Sequence, residues 1–184
     1  MAQGARIPLP TDEELGERQR EVLAAVPPLN VFRMLAGTRW GLKPFLQLGR
    51  AVLTSALDAR RREIVVLRVA HATGAEYERH QHERLARASG VNDAEITAIA
   101  ADATVVALDE EANFLCRVAD EISRDVRLSD EALQELVERY GAREAAEVIL
   151  LVSYYNMVSR VLESTRVPLE REPPADVEAM VPRS

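Results

Sequence analysis

Helix punctuation recurs along this chain, and it limits the possible folds more than any other feature of the sequence. Thr11 followed by Glu14 has the capping-box pattern, in which a hydroxyl and a carboxylate satisfy free N–H groups at a helix start. It predicts a helix through about Ala25, stopped by Pro27-Pro28. Asn30 is placed to cap a short helix through Ala36, and Pro44 fits the first turn of one reaching about Ser55. Asp58 caps the segment ARRREIVVLRVAHAT, which Gly74 closes. A helix over Glu76–Ser89 closes on Gly90; Asn92 with Glu95 opens another through about Ala101, and Asp109 one through about Arg124. Ser129 caps Asp130–Tyr140, ended by Gly141, and a last long helix runs from about Ala142 to Ser164. Against these signals stand no Asn-Gly or Asp-Gly hairpin turn and no sustained period-2 alternation. Val65–Val69 is β-branched but lies inside a capped segment of helical length. The chain reads as all-α, with about eight helices.

A single helical domain is expected over residues 11–169, after an N-terminal extension (1–10) and before an extended, proline-rich and charged C-terminal tail (170–184). The stretch Ala146–Met157 is apolar nearly all round, which suits a central helix or an oligomer contact. With 184 residues and 47% hydrophobic content there is material for a real core. The net charge of −7 is opposite to what a general nucleic-acid binder needs to displace counterions from phosphates. One cysteine, Cys116, excludes an intrachain disulfide or two-cysteine redox cycle, and its apolar context FLCRVA marks it as a core thiol. The start MAQGARIPLPTDEE has no apolar signal region, and the longest strongly apolar run, Val148–Val152, is far too short to span a bilayer. The expected location is the cytoplasm, with neither nucleic acid nor membrane as partner.

Chemistry-bearing side chains concentrate in AEYERHQHER, residues 75–84, which holds two of the three histidines. Glu78 and His82 are i and i+4 and share one helix face, bordering the apolar side continued by Leu85 and Ala86. His80 points elsewhere, and Glu76, Arg79, Glu83 and Arg84 have the pattern of a solvated face. Glu63 sits between the basic triplet Arg60-Arg61-Arg62 and an apolar run, where a charged residue ordinarily marks a boundary. His71 suits the end of its helix, where positive character complements the dipole.

The stretch REIVVLRVAHATGAEYERHQHERLARASGVNDAEITAI, residues 62–99, resembles the carboxymuconolactone decarboxylase-like superfamily, which includes the alkylhydroperoxidase D (AhpD) proteins. The resemblance extends to PPLNVFRMLAG upstream and LVSYYNMVSRV downstream. It implies an AhpD-like helical fold and a homo-oligomer, commonly a dimer, trimer or hexamer. In the peroxidase branch the second helix opens with Cys-x-x-Cys, a histidine follows four residues later, and a glutamate on the preceding helix completes a proton relay. Laid on this sequence, the cysteine positions are Ala75 and Glu78, the histidine is His82 and the relay glutamate is Glu63. The acid–base half of such a site is kept and both sulfurs are absent. Thiol peroxidase chemistry, which needs a nucleophilic thiolate and a resolving thiol, is therefore not expected.

Glu63, Glu78 and His82, with Tyr77 adjacent, leave three readings open. They suit general acid–base work on a small carboxylated or lactone substrate, which the superfamily's namesake decarboxylase makes natural. Two carboxylates and an imidazole also suit a divalent metal, although no fourth ligand is evident, and the expectation is no metal and no cofactor. A purely structural Glu–His network in a non-catalytic, ligand-binding or assembly protein is the third. Tyr155 and Arg160 are candidates to line the pocket with Tyr77, Arg160 pairing with a substrate carboxylate. Trp40, Phe32 and Phe45 are expected in apolar walls or core.

Overall fold

The computed structural model describes residues 6–54 and 57–171. Among them the chain forms eight helices: α1 (Glu17–Ala24), α2 (Asn30–Ala36), α3 (Leu42–Leu53), α4 (Ala59–Thr73), α5 (Glu76–Ala88), α6 (Asp93–Ile99), α7 (Glu110–Asp125) and α8 (Asp130–Thr165). Four of the expected caps act where expected; Asn30 does not, because it lies in the first turn of α2 behind an N-cap at Leu29 and its side-chain amide donates instead to the Pro168 carbonyl at 3.0 Å. Asp58 accepts from the Arg61 N–H, Asp109 from that of Ala112 and Ser129 from that of Ala132, and Asn92 with Glu95 completes its capping box. Gly74 leaves α4 in the left-handed region at φ 68°, where a Cβ would be strained. Gly141 (φ 75°, ψ 161°) breaks α8 where the sequence places a helix end.

α1 departs from expectation by starting at Glu17 rather than after Thr11. Half of the capping box forms, with the Thr11 N–H donating to Glu14 at 2.8 Å. The turn does not propagate, because Leu15 is drawn into the core and Gly16 resets the backbone to an extended conformation (ψ 159°). Of the segment expected as an extension, the Ile7 N–H donates to the Thr165 carbonyl at 3.2 Å, and the Pro10 carbonyl accepts from Arg33 at 2.9 Å. Residues 1–5, Ser55, Ala56 and the tail from 172 lie outside the described residues.

α4 is the centre of the molecule, packing most extensively on α7 and α5, then on α8 and α6. Its residues from Arg62 to Ala70 are all buried, which explains an apolar run without amphipathic periodicity. The main core joins α4 to α2, α3, α7 and the second half of α8; a smaller cluster around Ile64, Ala86, Ile99 and Cys116 seals α4, α5, α6 and α7. By length and composition α8 is long and apolar enough to cross a membrane, although the longest strongly apolar run is short. Its most apolar stretch is 56% buried against the rest of this chain, consistent with a core helix.

Candidate active site

Two consecutive helices build the site. The Gly74 turn brings α5 against α4, so the inward face of α5 (Tyr77, Glu78, Gln81, His82, Leu85) meets the start of the buried stretch of α4. His82 Nδ1–H donates to Glu63 Oε2 at 2.7 Å, and His82 Nε2 lies 3.6 Å from Glu78 Oε2. Glu63 has no exposed surface, and Glu78 and His82 are 5% and 8% exposed. The Tyr155 ring meets the imidazole edge-on, with centroids 5.0 Å apart and planes at 89°. Glu63 thus sits behind the histidine as its hydrogen-bond partner, fixing which ring nitrogen faces it, while Glu78 stands on the opposite nitrogen.

Burial is the strongest influence on His82 and disfavours its charged form. The charge and hydrogen bond of Glu63, with the Glu78 charge, outweigh it and hold the imidazole pKa above its ordinary value. Glu78 is raised by burial first and by the Glu63 charge second, against the opposing pull of His82. Burial likewise pushes the Tyr155 hydroxyl well above the usual phenol range. Both side chains therefore hold a proton more tightly than they would free in water.

A cavity of about 570 Å³ opens beside the pair. Its polar lining includes Tyr77, Glu78, Gln81, His82, Tyr154, Tyr155 and Arg50; Phe32, Phe45, Leu46, Leu85 and Val158 contribute apolar wall. The aromatic rings form a chain from Phe32 through Phe45 and Tyr154 to Tyr155. Gly49 lies within α3 because of this packing: a Cβ there would come within 2.6 Å of the Tyr154 hydroxyl. Tyr77 presents its ring to the cavity, while its hydroxyl donates to Glu170 and accepts from the Val31 N–H at 3.3 Å.

The structure brings Glu63, Glu78, His82, Tyr77 and Tyr155 together and leaves Arg160 out. Arg160 is exposed, and its Nη1 is donated to the Asn156 carbonyl and side-chain oxygens one turn back on α8, away from the cavity. The cation on the cavity rim is instead Arg50 of α3, an exposed side chain. Trp40, expected in a wall or core, is 77% exposed; Phe32 and Phe45 are walls as expected. His80 is exposed, and His71 lies at the end of α4, 3.4 Å from Asp102. Cys116 is fully buried, with its thiol pushed up by burial to about 12. Among the described residues no group of three or more His, Cys, Asp and Glu side chains is arranged to hold a metal ion. Gln81 and Glu170 were missed by sequence reasoning. Gln81 shares the stripe of Tyr77 and Leu85 and was legible as inward-facing; Glu170 lies 93 residues from Tyr77, and nothing local announces their contact.

Residues 41–121, which include α3 to α5 and with them Glu63, Glu78 and His82, match the model of the Carboxymuconolactone decarboxylase family. No curated protein matches the chain significantly. Among solved structures it is similar to an alkylhydroperoxidase AhpD core, an uncharacterised peroxidase-related protein from Ralstonia eutropha JMP134. That likeness has TM-score 0.77 at 15% identity, over 97% of this chain and 96% of that one. An uncharacterised peroxidase-related protein from Silicibacter sp. TM1040 gives TM-score 0.74 at 15% identity, over 94% and 92%. A protein of unknown function from Agrobacterium tumefaciens gives 0.65 at 17% identity, over 73% of this chain and 94% of that one. The chain therefore matches the carboxymuconolactone decarboxylase family model over residues 41–121 and has an AhpD-like fold, with a single cysteine and hence no Cys-x-x-Cys pair.

Proposed function

We propose that this protein is a small-molecule enzyme of the carboxymuconolactone decarboxylase-like type, working by acid–base chemistry on a carboxylated or lactone substrate and without thiol peroxidase activity. The observation that carries the reading is the buried Glu63–His82 hydrogen bond of 2.7 Å whose histidine lines an apolar cavity. A substrate's apolar body would lie among Phe32, Phe45, Leu85 and Val158, with its carboxylate toward Arg50 at the rim. In a decarboxylation the carbon–carboxyl bond breaks, carbon dioxide leaves, and the electron pair stays on the carbon as an enolate. His82 Nε2 then donates the proton that completes the product, with Glu63 holding the ring in place and Glu78 returning a proton. The same reading has the protein acting in the cytoplasm as a homo-oligomer, with Leu150 and Met157, exposed along one stripe of α8, at the contact.

Proton NMR in deuterated buffer tests the reading with a panel of small lactones and carboxylic acids. The expected result is carbon dioxide release or deuterium entry beside the carbonyl, abolished in His82→Ala and weakened through KM in Arg50→Gln. Saturable binding without either reaction, unchanged in His82→Ala, would instead favour a ligand-binding protein with a structural Glu–His network. That second reading draws on Glu63 having no exposed surface and tying α4 to α5.

A further inference from the structure

The basic triplet before Glu63 divides in the fold. Arg60 pairs with Glu95 and Asp109, and Arg61 with Asp58 and Glu111, all at the surface. Arg62 turns inward and is 3% exposed. Its Nη1 donates to the Leu53 carbonyl at 2.9 Å, at the end of α3, where Leu53 also lines the cavity. Its Nε faces Glu63 Oε1 at 3.7 Å, an ion pair longer than a hydrogen bond. Both Nε and Nη2 of Arg62, and Oε1 of Glu63, lack a hydrogen-bond partner among the described residues. A buried guanidinium held this way contributes little through hydrogen bonds to its neighbour and much through charge.

We infer, on the acid–base reading above, that Arg62 is a positioning residue whose fixed charge neutralises Glu63 and so leaves His82 and Glu78 to share one mobile proton. The groups facing the imidazole are Arg62 and Glu63 from α4, Glu78 from its own helix and Tyr155 from α8. With Arg62 positive and Glu63 a carboxylate, that pair has no net charge. One proton shared by His82 and Glu78 then keeps the whole cluster neutral in either form, imidazolium with carboxylate or imidazole with carboxylic acid. Nε2 and Oε2 stand 3.6 Å apart and must close to hydrogen-bond reach for the proton to pass, a transfer that leaves the net charge of the cluster unchanged. Without Arg62, neutrality needs a second proton. His82 and Glu78 would each hold one, and the site would have no base.

NMR titration of the His82 ring in the ligand-free protein tests this without any substrate. In Arg62→Met the ring is expected to titrate at higher pH than in the wild type, because a cation that opposes its protonation is gone. Arg62→Lys, which keeps the charge, restores the wild-type titration; Glu63→Gln moves it the opposite way, to lower pH. A folded Arg62→Met protein whose His82 titrates as in the wild type overturns the inference. If Arg62→Met does not fold, the proposal requires the fault to be the unmatched Glu63 charge. The double variant Arg62→Met/Glu63→Gln then recovers cooperative unfolding, and one that stays unfolded overturns it equally. A shifted His82 in a protein that turns over no substrate would leave this inference standing and remove the catalytic reading.

Discussion

Glu63 is a charged side chain with no exposed surface, and such a group persists in a folded chain only when charges or hydrogen bonds face it. One oxygen accepts from His82 at 2.7 Å and the other faces Arg62 at 3.7 Å. Glu63→Ala leaves Arg62 buried without its counter-charge and His82 without its acceptor, and is expected to destabilise the protein by about 3–5 kcal/mol, read as a fall in the urea unfolding midpoint. At this scale the sequence was partly legible. The i, i+4 spacing put Glu78 and His82 on one face, and the resemblance supplied Glu63. Spacing alone would have left Glu63 at a boundary, because a glutamate between arginines and an apolar run has the same local pattern whether it caps a surface or enters a core. Arg160 failed as a candidate for a related reason. Reach and charge are local properties, but facing the cavity depends on how α8 is rotated against α3 and α5.

The helices were the most legible level, since caps and closures are short-range chemistry. Asp58, Asn92, Asp109 and Ser129 each satisfy backbone N–H groups in the turn that follows them. One helix end runs against its local preference. Val126 caps α7 in the left-handed region at φ 69° while 84% exposed, a poor place for a β-branched residue. Val126→Gly is expected to raise stability by about 1 kcal/mol, measurable as a higher Tm with no change at the site. The C-terminal segment shows the opposite case, local order imposed from outside. Glu170 accepts from the Asn30 N–H at 2.6 Å, from Gln81 at 2.5 Å and from the Tyr77 hydroxyl, joining α2 and α5 beside the cavity. Glu170→Ala is expected to cost about 1–3 kcal/mol and to speed hydrogen exchange at the Asn30 amide, which loses its acceptor. Unchanged exchange there would show that the segment does not hold α2.

For the molecule as a whole, the buried site ties stability to pH. The ordinary values are 6.5 for His82 and 4.5 for Glu78, and the fold raises both. A group that binds its proton more tightly when folded stabilises the protein fully below its ordinary value and loses that contribution as pH rises through the raised one. Both groups therefore act with the same sign. Tm is expected to fall from neutral toward alkaline pH, more steeply in the wild type than in His82→Gln; parallel profiles would contradict the assignment. Assembly is tested by light scattering on the eluted protein. The expected mass is a multiple of 20.4 kDa, reduced toward one copy by Leu150→Arg, and a wild-type monomer at micromolar concentration would rule the oligomer out.

The sequence by itself determined the all-α class, the helix starts at Asp58, Asn92, Asp109 and Ser129, the breaks at Gly74 and Gly141, and the lack of a second cysteine. Each depends on residues within a turn or two of one another, or on a count. The tertiary structure decided what long-range packing controls. It placed Arg62 inward while Arg60 and Arg61 stayed at the surface, set Arg50 rather than Arg160 on the cavity rim, and closed Glu170 onto Tyr77 and Gln81. It also turned a glutamate and a histidine 19 positions apart into one buried hydrogen bond, which required α5 to fold back against a helix enclosed on every side.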